Sequence, residues 1–402
     1  MDIFERIKQS NGPIGDLQKW IEGNFAFPKL KGNVSNHVTF NDKKTICWSY
    51  NNYLGLANST EVNEIDSLAQ AEWNMTYPMG SRMMTGDTYL HDEFEDNISS
   101  FINMEKAMLL NFGYQGMVSV IDSLLSVNDV VISDSQCHAC IIDGIRLHKG
   151  VKLIYNHNDL EHLEKQLKQA EELTKKTNGG ILVVTEGVFS MSGEQGKLKE
   201  ICNLKSKYNF RFLVDDAHGF GVMGKKGNGT VCAHNLENQV DLYFTTFTKS
   251  MASFGAIIAG KKEIINYFKY NLRSQIFSKS LPMPVVKGLN ERLKIIKNAD
   301  SNRKDLFKIT SMLQEGLRKR DLLSDKVNSV ITPIYFNIKI TDVFDLQKEL
   351  VYQHGVFCSI VIYPVVPKDV VIFRLTPTSL HTEEDVEHTL KSFDVVFKKY
   401  MK

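Results

Sequence analysis

At 402 residues, with 43% hydrophobic and 24% charged side chains, the chain has an ordinary globular composition, which excludes a disordered or fibrous protein. Its 48 basic and 47 acidic residues give a formal charge of +1, which excludes a global charge footprint for nucleic acid or an anionic membrane. No apolar run approaches the roughly 18 to 20 residues of a spanning helix, no signal peptide opens the chain, and six cysteines are too few for a disulfide scaffold, so we expect a cytoplasmic protein.

The first 45 residues form a predicted peripheral segment, and strand–helix alternation follows further along the chain. From about residue 105 to 260 we interpret six short apolar runs as strands buried on both faces: 130–133, 152–155, 181–184, 210–214, 242–244 and 256–259. The segments 160–173 and 198–208 repeat apolar residues at helical spacing, the first behind Asp159 as N-cap. This alternation predicts an α/β fold with a mostly parallel sheet, helices on both faces, and ligands at the carboxyl ends of the strands.

The pattern changes after about residue 285. A long charged helix comes first, and three strand-like runs follow it: 330–338, 356–365 and 370–375. A final helix begins behind Thr382, with Asp385 three positions on as a capping box. We therefore predict three parts: an N-terminal segment over 1–45, a large domain over 46–285, and a smaller C-terminal α+β domain over 286–402.

The most informative segment is Thr246-Phe247-Thr248-Lys249-Ser250, which closes an apolar run about thirty residues after Asp215-Asp216-Ala217-His218. A lysine that ends one buried strand, with an acid and a histidine that end another, can hold pyridoxal phosphate as an imine. The carboxylate then keeps the pyridine nitrogen protonated. Alone, Lys249 would be a surface lysine, and Asp215 with His218 a structural pair; the companion residues favour the cofactor interpretation. Asp216 is expected to be structural.

The companion residues lie at other predicted strand ends and turns. Gly113 opens a helical pattern whose free N–H groups could hold a phosphate. His138 follows a strand and could stack on the cofactor ring, while Glu186 and Ser190 follow another strand and point toward the same crevice. Arg374 is a charge on an apolar strand, which favours a bidentate carboxylate clamp over a solvated side chain.

Taken together, these motifs resemble the α-oxoamine synthases, fold-type I enzymes dependent on pyridoxal 5′-phosphate (PLP) that condense an amino acid with an acyl-CoA and release carbon dioxide. The resemblance runs from Asn51 to Arg374. Its most specific segments, in the family's order, are 51–56, Gly80-Ser81-Arg82, 138–144, 186–190, 215–218 and 246–250. It implies a PLP-dependent acyltransferase with a seven-stranded sheet, and a homodimer with shared active sites.

The resemblance also implies a role for each matching residue. Lys249 is the Schiff-base lysine, Asp215 the pyridinium partner, His218 the group near the phenolic oxygen, and His138 the residue stacked on the ring. The residues implied to contact the phosphate are Gly113, Tyr114, Thr246 and Thr248. Ser278 is implied to contact the phosphate across the dimer interface. The residues implied to surround the amino-acid moiety are Asn51, Glu186, Ser190 and Arg374. No metal site is predicted, because the paired cysteines at 137 and 140 lack a second ligand pair.

The substrates are less well specified. With Arg82, the segment 80–86 resembles that of serine palmitoyltransferases and 2-amino-3-ketobutyrate CoA ligases more than that of 8-amino-7-oxononanoate synthases. We expect Arg82 to contact substrate. We therefore expect a serine palmitoyltransferase-like enzyme of lipid metabolism, in sphingolipid biosynthesis. Glycine C-acetyltransferase, 8-amino-7-oxononanoate synthase and cysteate acyltransferase activities stay open. A fold-type I aminotransferase is disfavoured by the Asn51 and His138 segments, and a non-catalytic partner subunit is disfavoured by Lys249.

Overall fold

The computed structural model describes residues 2–10, 14–23 and 25–400. Contacts within the chain divide it into two compact units. We call the first the large unit, which comprises 59–190 and 195–300, and the second the small unit, which comprises 1–58, 191–194 and 301–402.

The strands and helices alternate along most of the chain. The strands are β1 Leu30–Lys31, β2 His37–Phe40, β3 Lys43–Cys47, β4 Lys106–Leu110, β5 Val130–Asp134, β6 Val151–Tyr155, β7 Ile181–Glu186, β8 Arg211–Asp215, β9 Leu242–Thr246, β10 Ala256–Gly260, β11 Thr332–Phe336, β12 Val356–Phe357, β13 Ser359–Val361 and β14 Val371–Leu375. The α-helices are α1 Ile3–Ser10, α2 Gln18–Ile21, α3 Thr60–Trp73, α4 Tyr89–Phe101, α5 Gly113–Leu124, α6 Ala139–Leu147, α7 Leu160–Thr177, α8 Leu198–Leu204, α9 Thr230–Ala233, α10 Lys262–Asn271, α11 Arg273–Ile276, α12 Met283–Asn298, α13 Asp300–Arg318, α14 Ile340–His354 and α15 Glu383–Tyr400. Among the described residues, no helix is long and apolar enough to cross a membrane.

The unit boundaries correct the predicted division at 1–45, 46–285 and 286–402. The N-terminal residues up to 58 belong with the C-terminal ones, because β3 pairs in parallel with β12. Helix α12 belongs to the large unit, because it packs against α3 and α4. The predicted long charged helix is therefore two helices, α12 and α13, that belong to different units. Of the predicted N-terminal segment, residues 1, 11–13 and 24 lie outside the described part of the chain.

The large unit is built on a seven-stranded sheet in the order β4-β10-β9-β8-β7-β5-β6. Strand β10 runs antiparallel to both of its neighbours, and the other neighbouring pairs are parallel, which confirms the predicted fold class. Each residue of β5, β7, β9 and β10 is buried, as the apolar runs predict. The prediction is wrong for β6, an edge strand whose Ile154 is 60% exposed. Strand β4 was not among the predicted runs.

Four parallel strands end in polar residues at one edge of this sheet. Strands β5, β7, β8 and β9 end at Asp134, Glu186, Asp215 and Thr246. Capping side chains fix where helices between these strands begin. Asp159, for example, caps α7 by accepting a 3.0 Å hydrogen bond from the His162 N–H. The carboxyl edge of a parallel sheet is where open α/β folds place their ligands.

The small unit contains two sheets, in the orders β1-β2-β3-β12 and β11-β14-β13. The run 356–365, predicted as one strand, divides at Cys358 because β12 joins the first sheet and β13 the second. The predicted capping box at the start of α15 is confirmed: Thr382 N–H donates to Asp385 Oδ2 at 2.9 Å, and Asp385 N–H to Thr382 Oγ1 at 3.1 Å.

Candidate active site

A cavity of about 330 Å³ opens at the carboxyl edge of the large sheet. It brings together residues that lie far apart along the chain, at the ends of β7, β8 and β9 and at the starts of α5 and α6. Nine of the predicted site residues line it: Gly113, Tyr114, His138, Glu186, Asp215, His218, Thr246, Thr248 and Lys249. The cavity therefore assembles an amine, two carboxyl groups and two imidazoles in the large unit alone.

The acidic side of the cavity is formed by Asp215 and Glu186, which are register partners on β8 and β7. Both are buried, and burial raises the pKa of Asp215 while the nearby Lys249 charge opposes that rise. The Asp215 carboxylate accepts a hydrogen bond of 3.0 Å from the Ala217 N–H. Burial, with the neighbouring charge of Asp215, raises the pKa of Glu186 well above its usual range. A cation placed against Asp215 would restore its ionised form.

Asp216 has a structural role, in agreement with its prediction. Its carboxylate accepts hydrogen bonds from the Thr230 N–H and hydroxyl, each 2.7 Å, and from the Tyr243 hydroxyl at 2.9 Å. Burial raises the pKa of Asp216 to about 7. These bonds tie the turn after β8 to the next strand, and of the two adjacent aspartates it is Asp215 that lines the cavity.

His138 is held in one orientation by the start of α6. Its Nδ1 accepts a 3.2 Å hydrogen bond from the Cys140 N–H and lies 3.0 Å from the Cys140 thiol. Burial raises the pKa of Cys140, so the thiol keeps its proton and can donate it to Nδ1. Burial also lowers the pKa of His138. The ring is therefore neutral with its proton on Nε2. The sequence indicated Cys140 only as a rejected metal ligand, and the structure adds it to the residues that line the cavity.

An anion can be held where α5 begins. The helix starts at Gly113, whose first-turn N–H groups have no partner inside the helix. A Cβ at position 113 would lie 3.1 Å from Thr246 Oγ1, so glycine lets the backbone approach that hydroxyl. Thr246 Oγ1 in turn lies 3.2 Å from Thr248 Oγ1. The cup of N–H and hydroxyl donors has the chemistry of a phosphate site.

Three predicted residues of the large unit are not in the lining of this cavity. Ser190 is buried, and Ser278 is partly exposed next to the largely exposed Phe277. Arg82 is buried, and its guanidinium forms ion pairs with Glu95 and Asp87 and donates to the Leu109 carbonyl at 3.2 Å. The expected substrate contact of Arg82 is therefore corrected, because these interior partners tie residues 82–87 to α4 and β4.

The two remaining predicted residues, Asn51 and Arg374, meet in the small unit. Arg374 Nη2 donates a 3.1 Å hydrogen bond to Asn51 Oδ1, and the guanidinium also bonds the buried Tyr53 hydroxyl. Burial raises the pKa of Tyr53 to about 12, although the charge of Arg374 opposes the rise. Tyr53 lies two residues after Asn51 in the segment 51–56, whose family resemblance is the sequence signal that could have indicated it.

Comparisons with known proteins agree with this geometry. The family model described as aminotransferase class I and II matches residues 43–393. A cysteate-C-fatty acyltransferase of Capnocytophaga ochracea is 47% identical over 99% of this chain and 95% of its own length. An 8-amino-7-oxononanoate synthase of Thermosipho melanesiensis is 34% identical over 90% of each chain. A solved serine palmitoyltransferase of S. paucimobilis, with a bound PLP–myriocin aldimine, superposes with a TM-score of 0.90 at 25% identity and covers 100% of both chains.

Proposed function

The chain belongs to the aminotransferase class I and II family and, within it, to the α-oxoamine synthases, and from that membership we propose that it condenses L-cysteate with a long-chain fatty acyl-CoA. The reaction forms a bond between the amino-acid Cα and the acyl carbon. It breaks the thioester C–S bond and the bond from Cα to the carboxylate. The products are an α-amino ketone, CoA and carbon dioxide.

The cofactor is pyridoxal 5′-phosphate, and the residues of the large-unit cavity fit it. Lys249 would hold its aldehyde carbon, Asp215 its ring nitrogen, and the cup of Gly113, Thr246 and Thr248 its phosphate. The single observation that carries the proposal is the presence of all three functions in one cavity of about 330 Å³. When bound, this cofactor draws electron density from the substrate Cα and so makes its proton and carboxylate removable.

The residues around the cavity then have defined tasks. Asp215 keeps a proton on the ring nitrogen, since a buried carboxylate is stabilised by an adjacent cation. Lys249 Nζ takes the Cα proton of the amino acid and returns a proton at the end of the reaction. His138, neutral and with its proton on Nε2, fixes the plane of the reacting group and presents a donor. His218 would contact the phenolic oxygen.

Further assignments are proposals from the family resemblance. Arg374 and Asn51 would contact the amino-acid moiety, and their mutual hydrogen bond of 3.1 Å supports a shared task. Glu186 supports His138 through a 2.5 Å bond from the His138 N–H, and Ser190 would lie near the amino acid. Ser278 would reach the phosphate of a partner subunit in a homodimer. We also propose a cytoplasmic enzyme.

Cysteate is one of the amino acids that the sequence leaves open, and the 47% identity over 99% of the chain supports it above serine. The product would then be a lipid base that carries a sulfonate, in place of the sphingolipid precursor expected from serine. Glycine and acetyl-CoA form the alternative with the smallest substrates.

The test is a substrate matrix with the PLP-loaded protein. L-cysteate, L-serine and glycine are each combined with palmitoyl-CoA and with acetyl-CoA, and CoA thiol release is followed. We expect L-cysteate with palmitoyl-CoA to have the highest kcat/KM, at least about tenfold above L-serine, because polar groups that pair with the sulfonate would be left unpaired when serine binds. A higher kcat/KM for L-serine would overturn the choice of amino acid. Transamination without thiol release would establish an aminotransferase instead.

A further inference from the structure

The carboxylate of Asp134, at the end of β5, is hydrogen-bonded through both of its oxygens, and its side chain is fully buried. Oδ1 accepts hydrogen bonds from the Gln136 N–H at 2.8 Å and from His157 Nδ1 at 2.9 Å. Oδ2 accepts one from the Asn158 N–H at 2.9 Å. Asp134 therefore fixes the turn that leads to His138 and ties this turn to the segment between β6 and α7.

The partners of the His157 ring determine which of its nitrogens carries a proton. Nδ1 lies against a carboxylate oxygen, which accepts, so Nδ1 is the donor. Nε2 lies 3.4 Å from Asn158 Nδ2, an amide nitrogen that only donates, so Nε2 is the acceptor. Asn158 Nδ2 also donates to the Gln195 carbonyl at 3.2 Å. Asp134, His157 and Asn158 thus form a continuous chain of hydrogen bonds that ends on Gln195, and we call these three residues the β5 relay.

The far end of the β5 relay is the loop that follows β7. Val188 and Gln195 of this loop form an antiparallel bridge. The His157 ring also meets Phe189 in the loop, with centroids 4.4 Å apart and planes at 85°. Phe189 is buried, so this contact lies in the interior of the large unit. The loop begins after Glu186, which lines the cavity, so both ends of the β5 relay adjoin residues of the candidate active site.

We propose that the β5 relay is a positioning device, which holds the turn that presents His138 at a fixed distance from the loop after Glu186. This inference rests on the proposed role of His138 against the cofactor ring. The β5 relay contributes no residue to the described lining of the cavity, so it acts through the segments that it joins. A misplacement of about 1 Å by a change outside the reacting groups lowers turnover by up to about a hundredfold.

Substitutions within the β5 relay separate hydrogen bonding from packing. His157→Phe keeps an aromatic ring against Phe189 and removes both ring hydrogen bonds. His157→Gln keeps a donor for Asp134 and an acceptor for Asn158. Asn158→Gly removes the side-chain amide and suits the left-handed backbone at this position, where φ is 54°. The matched control is His234→Phe, at an exposed position of the same unit.

Two measurements on the PLP-loaded protein report the position of His138. The visible circular dichroism of bound PLP should fall at least about twofold per bound cofactor in His157→Phe and in Asn158→Gly, because the ring is held less firmly. In both variants kcat should fall at least about fivefold, the value of one hydrogen bond, while KM for the acyl-CoA changes by less than about twofold. His157→Gln and His234→Phe should keep the parent values.

Hydrogen exchange in the PLP-free protein tests the β5 relay itself. Amides in the segments 135–138 and 195–196 should exchange at least about fivefold faster in His157→Phe than in the parent or in His157→Gln. Near-ultraviolet circular dichroism establishes that each variant is folded, and Asn158→Gly carries the test if His157→Phe is not.

Unchanged exchange would overturn the inference. Faster exchange with unchanged dichroism and kcat would also overturn it, because the β5 relay would then stabilise the fold without positioning His138. Failure of the proposed function has a different result: reduced dichroism in the variants of a protein that releases no thiol from acyl-CoA would refute the condensation and support the β5 relay.

Discussion

The two cavities of this protein are similar in volume and differ in the number of ionisable side chains that line them. The large-unit cavity, about 330 Å³, is lined by ionisable side chains at the ends of parallel strands. The small-unit cavity, about 360 Å³, is lined by apolar side chains from four segments, with Arg374 as the charged residue. In the first, the ends of regular strands bring together the ionisable groups that the proposed reaction needs. In the second, side chains from separate segments of the small unit enclose a space with one charged group, Arg374, among the described residues that line it. The ionisable groups are therefore concentrated in the cavity of the large unit.

The largest expected effect concerns the assignment of chemistry to the first cavity. Lys249→Ala should lower thiol release at least about 10³-fold, because the amine that bonds the cofactor and carries the proton is lost. Lys262→Ala, at the exposed start of α10, is the matched control and should keep full activity. Borohydride reduction followed by peptide mapping should label Lys249 in the unmutated protein. Activity of Lys249→Ala within tenfold of the parent would place the chemistry elsewhere.

A second prediction sharpens the contrast between interior and surface charge. Arg82→Met should lower the free energy of unfolding by about 3–5 kcal/mol, because it leaves the buried Glu95 carboxylate without its cation. Arg320→Met, which removes a surface pair with Asp394 in the small unit, should lower it by at most about 1 kcal/mol. Denaturant unfolding measures both. If the two variants lose similar free energies of unfolding, the buried ion pairs of Arg82 do not stabilise the fold more than a surface pair does.

The free energy of unfolding should depend on pH through His381 of the small unit. Its ring stacks on Trp48 with ring centroids 3.8 Å apart. Burial lowers the pKa of His381 to about 4, below the value of about 6.5 in an unfolded chain. Its contribution to stability is therefore complete above pH 6.5 and is lost as the pH falls toward 4, by a few kcal/mol. His381→Gln cannot take a proton in this window, so its unfolding free energy should fall less steeply there. If the unfolding free energies of the unmutated protein and of His381→Gln fall equally steeply with falling pH, His381 does not have this role.

The smallest effect tests how the first cavity orients His138. Cys140→Ala removes one of the two donors to Nδ1, which should raise the pKa of His138 and shift the acid limb of the kcat/KM profile to higher pH. The rate near neutral pH should fall about two- to tenfold, the value of one hydrogen bond. Cys140→Ser keeps a donor and should restore the parent profile. An unshifted acid limb in Cys140→Ala would mean that the thiol only fills space.

The sequence predicted the first cavity far better than the second. Lys249, Asp215 and Glu186 each end a buried apolar strand, and the ends of parallel strands meet at one edge, so periodicity alone indicates their proximity. Cys140 was missed because its contact depends on the local geometry of the α6 start, where its N–H and thiol both reach Nδ1.

The other differences come from tertiary packing. Arg82 was predicted to contact substrate from the family resemblance of its segment. Its ion pairs with Glu95 and Asp87 were not predicted, since they depend on tertiary packing, which no motif shows. The apolar cavity was not predicted at all, since its wall residues have no common spacing and look like ordinary core positions. The early domain boundary failed because the pairing of β3 with β12 joins residues some three hundred positions apart along the chain.

The most direct test of the central claim is a product balance with carboxyl-labelled L-cysteate and palmitoyl-CoA. The account predicts that labelled carbon dioxide and free CoA thiol appear in equal amounts with the unmutated PLP-loaded protein, and that both disappear in Lys249→Ala. Retention of the carboxyl label in the product, or thiol release that persists without Lys249, would contradict a decarboxylative condensation at this site.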